Sequence, residues 1–271
     1  MKSIILNSGQ EMPVLGLGTW QLNGPKCTEI VKEALEMGYR HIDTADAYEN
    51  QQDIAPALRA SGIDRNELFI TSKVNRLDLH YDDFLKKTDK ILNELEIEYL
   101  DLLLIHWPNK DIPIEETLKA MAELKVRGKV KNLGVSNFTE SHLEKVLDLY
   151  PGLISVNQVE FHPYLYQKAL LDYCQKNDIV LTAYSPLARG MVFEDNRIKE
   201  LAEEYGHTPA QLVLKWLVEK GIVVIPKAGS TAHLKDNLEV LNMDLPASAL
   251  ELLDTFNENR RLIAPSFHEF W

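Results

Sequence analysis

Eight short apolar runs, each followed by a stretch with helical spacing, recur along the 271 residues, and this alternation limits the folds open to the chain more than any other feature. The runs are Val14–Gly18, Tyr39–Asp43, Leu68–Lys73, Leu100–His106, Val130–Ser136, Ile154–Val159, Ile179–Tyr184 and Ile222–Lys227. Between them apolar residues fall three and four apart, as at Phe84, Ile91, Leu92 and Leu95, or Leu143, Val146 and Leu147, which is the stripe of an amphipathic helix. Parallel strands need crossovers of helical length, and right-handed crossovers wrap such a sheet into a ring. The pattern predicts an α/β fold, a (β/α)8 TIM barrel. An open doubly wound sheet is the competing arrangement, but Gly16-Leu17-Gly18-Thr19-Trp20-Gln21 lacks the third glycine of the dinucleotide fingerprint.

Additions to the plain barrel are legible at both ends. Ser3 to Leu6, turning at Asn7-Ser8-Gly9 and leading to Pro13, predicts an N-terminal β-hairpin, a lid-like cap on something larger. Thr208-Pro209-Ala210-Gln211 sets a hydroxyl cap, a first-turn proline and a glutamine three residues after the cap, and Gly221 closes that helix. Arg197 to Tyr205 and Ala247 to Phe256 predict extra helices late in the chain. No linker or composition shift divides it, so residues 1–271 are expected to form one barrel domain.

Charge and cysteine content narrow the partners. The net charge of −12 opposes binding to nucleic acid or anionic membranes, and any anionic ligand needs a local cationic spot. Cys27 and Cys174 lie far apart in helical stretches, which supports neither a disulfide framework nor a zinc site. The opening Met1-Lys2-Ser3-Ile4-Ile5-Leu6 is too short an apolar run for a signal peptide, and no run approaches a membrane span. A cytoplasmic monomer acting on a small molecule is the expectation.

Catalytic groups of a barrel sit at the C-terminal ends of its strands. The polar residues ending these runs are Asp43, Lys73, His106, Ser136 with Asn137, Gln158, Tyr184 and Lys227. Singly, each has an ordinary structural explanation: a surface lysine, a hydrogen-bonded histidine, a loop acid. Together they converge on one mouth, where Tyr48 follows the strand ending in Asp43. A phenol titrates near ~10, and a neighbouring ammonium such as Lys73 lowers that value by favouring phenolate. Asp43 supplies the counter-charge that holds such a lysine in a partly dry site. His106 then orients a substrate oxygen or tunes the same proton.

With these residues in view, the chain resembles an aldo-keto reductase of the compact bacterial kind similar to 2,5-diketo-gluconate reductases. The resemblance runs from the hairpin to about Asn237. It rests on Gly16-Leu17-Gly18-Thr19-Trp20, His41-Ile42-Asp43-Thr44-Ala45 with Tyr48, Lys73, Ile105-His106-Trp107-Pro108, Gly134-Val135-Ser136-Asn137-Phe138, Asn157-Gln158-Val159-Glu160, Tyr184-Ser185-Pro186-Leu187 and Ile225-Pro226-Lys227. It implies a catalytic tetrad of Asp43, Tyr48, Lys73 and His106, with Tyr48 as general acid for NAD(P)H-dependent reduction of aldehydes and ketones to alcohols. It implies that Ser136, Asn137 and Gln158 grip the nicotinamide carboxamide, that Tyr184 stacks on its ring, and that Gly18, Thr19, Trp20 and Asp43 flank the cofactor. It further implies diphosphate contacts at Ser185, Leu187 and Arg189, and adenosine-side contacts at Lys227, Ala228, Ser230, His233 and Asn237. The helix beginning after Ser230 points its N-terminus toward the same anion.

Two positions depart from the family pattern. Ala228 stands where a serine is usual, and His233 replaces the arginine that pairs with the 2′-phosphate of NADPH. Losing a fixed bidentate cation weakens phosphate recognition, so NADPH or NADH is the expected cofactor, with reduced NADPH preference. Trp20, Tyr48, His106 and Trp107, joined by Phe193 or Trp271, are expected to line an open substrate pocket without long specificity loops, suited to small aldehydes, dicarbonyls or keto sugars. A nicotinamide-binding regulatory or sensor subunit with little turnover is the alternative. A Schiff-base aldolase using Lys73 is disfavoured because Asp43 keeps that lysine charged. The eight histidines form no His-x-His ligand cluster, which disfavours a metal hydrolase.

Overall fold

The computed structural model describes residues 2–267. Ten strands and ten α-helices follow in order among them. The strands are β1 (Ser3–Ile5), β2 (Glu11–Pro13), β3 (Leu17–Gly18), β4 (His41–Asp43), β5 (Phe69–Val74), β6 (Leu100–Ile105), β7 (Val130–Ser136), β8 (Ile154–Glu160), β9 (Val180–Tyr184) and β10 (Val223–Val224). The helices are α1 (Gly24–Glu36), α2 (Gln51–Ala60), α3 (Tyr81–Leu95), α4 (Ile114–Val126), α5 (Glu140–Leu149), α6 (Lys168–Lys176), α7 (Asn196–Glu204), α8 (Pro209–Glu219), α9 (Thr231–Glu239) and α10 (Ala247–Asp254).

Strands β3 to β10 form one parallel sheet in sequence order. Its two edges meet through bridges between Leu15 and Val224 and between Gly18 and Lys227, so the sheet closes. The Gly16 and Val224 amides donate to Val224 O and Val14 O across this seam, each at 2.9 Å. All eight predicted runs are strands, although the first and last hold only two residues each in regular pairing.

Strand periodicity decides what the ring presents to its lumen. Phe69, Leu102, Leu104, Val156, Val180 and Val223 pack together inside it with Leu6 and Met12. Because side chains alternate along a strand, the residues two and four positions further share that inward face. Phe69 is thus followed by Thr71 and Lys73, Leu104 by His106, Val156 by Gln158, Val180 by Thr182 and Tyr184, and Val223 by Ile225 and Lys227. Apolar layers fill the lower lumen and polar groups crown it. The opposite strand faces meet the helices in a second, larger apolar core.

The hairpin of β1 and β2 caps the ring at its floor, not at its mouth. Asn7 donates to Ile154 O (2.9 Å), Ser8 to Asn132 Oδ1 (2.5 Å) and Gln10 to Asp101 Oδ1 (3.0 Å), all near the starts of strands. A hairpin pattern does not say which end it covers; the polar partners on the strand starts do.

Both predicted extra helices are present, as α7 and α10. The predicted capping box at α8 forms, with Gln211 N donating to Thr208 Oγ1 (3.2 Å) and Thr208 N to Gln211 Oε1 (3.1 Å). Trp216 on α8 donates its indole N–H to Asp254 (2.6 Å), which docks α10. Cys27 and Cys174 are buried free thiols. Among the described residues no helix is long and apolar enough to cross a membrane.

Gly18 occupies the seam because a side chain has no room there: a Cβ would stand 2.6 Å from Ile225 O. Gly18→Ala is expected to lower stability by about 1–3 kcal/mol through overpacking against backbone, read as a shift of the urea unfolding midpoint at unchanged slope.

Candidate active site

The crown of the lumen is built around Lys73. Its side chain is fully buried, and an ammonium there needs partners for three N–H donors. Lys73 Nζ lies 2.5 Å from Asp43 Oδ1, 2.8 Å from Thr44 O and 3.5 Å from Tyr48 OH. Asp43 ends β4 and Lys73 lies on the neighbouring β5, which brings carboxylate and ammonium onto adjacent strand ends. Tyr48 arrives from a short 3-10 turn, Asp46–Tyr48, that follows β4. The second carboxylate oxygen of Asp43 accepts the Gln158 amide at 2.8 Å. His106 follows β6, its ring set edge-on to Tyr48 with centroids 5.8 Å apart.

The electrostatics follow from this burial. Burial works to lower the Lys73 pKa, but Asp43 and then Tyr48 outweigh it and the value rises, so the lysine stays protonated. For Tyr48 the balance is the reverse of the sequence expectation. Lys73 does pull the phenol down, yet burial is the larger effect and the pKa is raised overall. Desolvation depth depends on tertiary packing, which the sequence reading lacked. His106 is pushed down to about 3, first by burial and then by the charge on Lys73, so its imidazole is neutral at physiological pH.

Beside these groups opens a cleft of about 330 Å³. Its lining joins Gly18, Thr19, Trp20, Asp43, Tyr48, His106, Trp107, Ser136, Asn137, Gln158, Tyr184, Ser185, Arg189 and Lys227, so most of the sequence-predicted site residues share one space. Asn137 donates to His106 O and to Ser136 Oγ, each at 3.0 Å, and accepts from Tyr184 OH at 2.7 Å. Those bonds pin the Tyr184 ring, and they also occupy the Asn137 amide. The Arg189 guanidinium stands over the Trp20 ring, 5.1 Å from its centroid.

Other expected residues lie outside the lining. Leu187 packs against the core and Ala228 is fully buried. Ser230 spends its hydroxyl as the α9 cap, accepting the His233 amide at 3.3 Å. His233 is exposed on α9, and Asn237 is buried near the Tyr39 hydroxyl, which donates to Leu234 O (3.0 Å). Phe193 is exposed and is not part of the cleft lining, and Trp271 falls outside the described residues.

The cleft is also less open than the sequence suggested. Ile263, from the segment after α10, joins its wall, and Phe267 sets its ring edge-on to Trp107 at 5.6 Å. Sequence reasoning missed Ile263, Ala47 and Ile225. The one available signal for the first was the apolar pair Leu262-Ile263 after the polar stretch from Asn257 to Arg261.

A family model described as the aldo/keto reductase family matches residues 14–258. The chain belongs to this family. A glyoxal reductase of Bacillus subtilis (strain 168) is 40% identical over 261 residues, covering 96% of this chain and 94% of that protein. Among solved structures, MGS-M4, an aldo-keto reductase enzyme from a Medee basin deep-sea metagenome library, superposes with a TM-score of 0.94 at 35% identity, covering 97% of each chain. A structure assigned provisionally to 2,5-diketo-D-gluconic acid reductase B gives 0.94 at 33% identity, covering 98% of this chain and 95% of that one. Aldo-keto reductases are oxidoreductases that generally use NADPH or NADH.

Two buried histidines tie the barrel to acid stability. Burial pushes His41 down to about 4, as it does His106 to about 3, against an ordinary 6.5. Below pH 6.5 the unfolded chain takes up these protons and the folded one does not, so stability is lost as pH falls from 6.5 toward 4 and then 3. Each site contributes a slope of about 1.4 kcal/mol per pH unit within its window. Denaturant titrations between pH 6 and 4.5 are expected to show one such slope less in His106→Asn.

Proposed function

We propose that this chain reduces the carbonyl group of small aldehydes and dicarbonyls with a reduced nicotinamide cofactor, Tyr48 acting as the general acid. The observation that carries the reading is the buried contact chain from Asp43 through Lys73 to Tyr48, with neutral His106 beside the phenol at the cleft.

The lining suits such a cofactor on chemical grounds. Tyr184, held by Asn137, offers a flat face for an aromatic ring. Gln158 donates its amide to Asp43, which leaves its carbonyl oxygen to receive a carboxamide N–H. Arg189 and Lys227 line the same cleft and supply the local cationic spot that a phosphorylated ligand needs on a chain of charge −12. Ser185 would share the diphosphate with Arg189, and Lys227 would meet the adenosine side. When bound, the reduced nicotinamide supplies the hydride.

The protein's own groups handle the proton. A phenol whose pKa burial has raised keeps its proton until a strongly basic oxygen develops in front of it. Lys73 then eases the charge left on the phenol oxygen, and Asp43 keeps Lys73 aimed. His106, uncharged, donates an N–H to the substrate oxygen and holds it toward Tyr48 without competing as an acid.

Trp20, Trp107 and Ile263 give the substrate end a largely apolar wall, which suits small carbonyl compounds. The glyoxal reductase relative acts, by its name, on such a dicarbonyl.

Tyr48→Phe is expected to cut turnover of methylglyoxal by on the order of 10²-fold or more while leaving cofactor binding in place. A protein that binds nicotinamide but oxidises none of it across a carbonyl panel is a sensor instead. With His233 exposed and no arginine in its place, both cofactors are expected to serve. A kcat/KM ratio favouring NADPH by more than roughly a thousandfold would overturn that expectation.

A further inference from the structure

Glu160 ends β8, two residues past Gln158, and its side chain is completely buried. A carboxylate in such a place costs several kcal/mol unless donors surround it. Here one oxygen accepts the Leu262 amide at 2.7 Å and lies 2.9 Å from His162 Nε2, while the other accepts the Ile263 amide at 3.0 Å. Two of its three partners are therefore backbone groups of the segment that follows α10, about a hundred residues further along the chain.

That segment has no helix or strand of its own over residues 257–265. It is held by hydrogen bonds to the stretch after β8. Tyr164 O accepts the Glu258 amide (3.1 Å) and the Arg260 amide (2.9 Å). Gln167 donates to Glu160 O (2.7 Å) and accepts from Arg261 (3.0 Å). Among these contacts only the Glu160 carboxylate grips the residue that enters the cleft, Ile263. Bonds from backbone N–H to an ionised carboxylate are stronger than neutral ones, so this grip is the firm one.

We propose that Glu160 is a positioning residue for the substrate side of the cleft: its carboxylate fixes the backbone at Leu262 and Ile263, and so sets where the Ile263 side chain walls the reaction space. The inference rests on the reading of the cleft as a carbonyl-binding site. It assigns Glu160 no contact with substrate or cofactor.

Glu160→Gln is the informative change. It keeps the size and one acceptor oxygen but turns the other into an NH2 group, which faces a donor at one of the tail amides or at His162. Ile263→Ala removes the wall and leaves the grip. Hydrogen exchange, resolved to single amides by NMR on the full-length protein, is expected to rise about tenfold or more at Leu262 and Ile263 in Glu160→Gln, with Ile154 and Val156 in β8 unchanged. Ile263→Ala is expected to leave those tail amides as in the wild type.

With 4-nitrobenzaldehyde as probe, each single variant is expected to raise KM by roughly three- to tenfold with little change in NADPH affinity. The double variant is expected to match the worse single one, because both act through the same wall. Tail amides that stay protected in Glu160→Gln overturn the proposal. So does exchange that rises equally in β8, which marks a role in the strand itself, and so do KM effects that multiply in the double variant. A wild-type protein that reduces no carbonyl sinks the reductase reading alone, since the exchange comparison needs no turnover.

Discussion

Burying an ammonium in the middle of a protein is costly, and the crown of this barrel is arranged around meeting that cost at Lys73. Asp43, Thr44 O and the Tyr48 hydroxyl receive its three hydrogens, so the lysine keeps its charge where water is excluded. The same carboxylate reaches in the other direction to Gln158. One ion pair thus couples the phenol proposed to handle the proton to the strand ends proposed to hold a nicotinamide. Removing either partner strands the other charge in a dry lumen, a loss of about 3–5 kcal/mol for buried pairs. The fold and the chemistry share this contact.

The rest of the site depends on strand parity. Inward positions carry Phe69, Leu102, Leu104, Val156, Val180 and Val223 low in the lumen. Continuing the same parity toward the C-terminal ends delivers Lys73, His106, Gln158, Tyr184 and Lys227 to one rim. The apolar layers give the polar crown a rigid footing, and the hairpin below seals them from water with hydrogen bonds to strand starts. Against a net charge of −12, Arg189 and Lys227 give the cleft a local cationic spot, as the proposed phosphorylated cofactor requires.

Much of this is legible in the sequence. Apolar runs ending in polar residues report both the strand and its functional end, because the lumen demands one chemistry below and another above. Capping residues such as Thr208 and Gln211 are local signals, and the box they predict forms. What the sequence withheld depends on tertiary depth. The direction of the Tyr48 pKa shift turned on how deeply the phenol is buried, and the hairpin's end of the barrel on which polar atoms it meets. Ile263 carries no periodicity that reveals its place in a wall, since backbone bonds to a distant carboxylate put it there. The resemblance also assigns ligand contacts to Asn237 and Ser230; here Asn237 is buried on α9 and the Ser230 hydroxyl caps that helix.

The seam between β3 and β10 has a consequence for how the chain reaches its native form. Its bonds join Val14, Gly16 and Gly18 to Val224 and Pro226, residues separated by most of the polypeptide. During synthesis on a ribosome the first strand therefore waits for its neighbour until nearly everything else has been made. A curled but unzipped sheet with two bare edges is the species that chaperones and aggregation compete for, because contacts between distant parts of a chain form late and slowly.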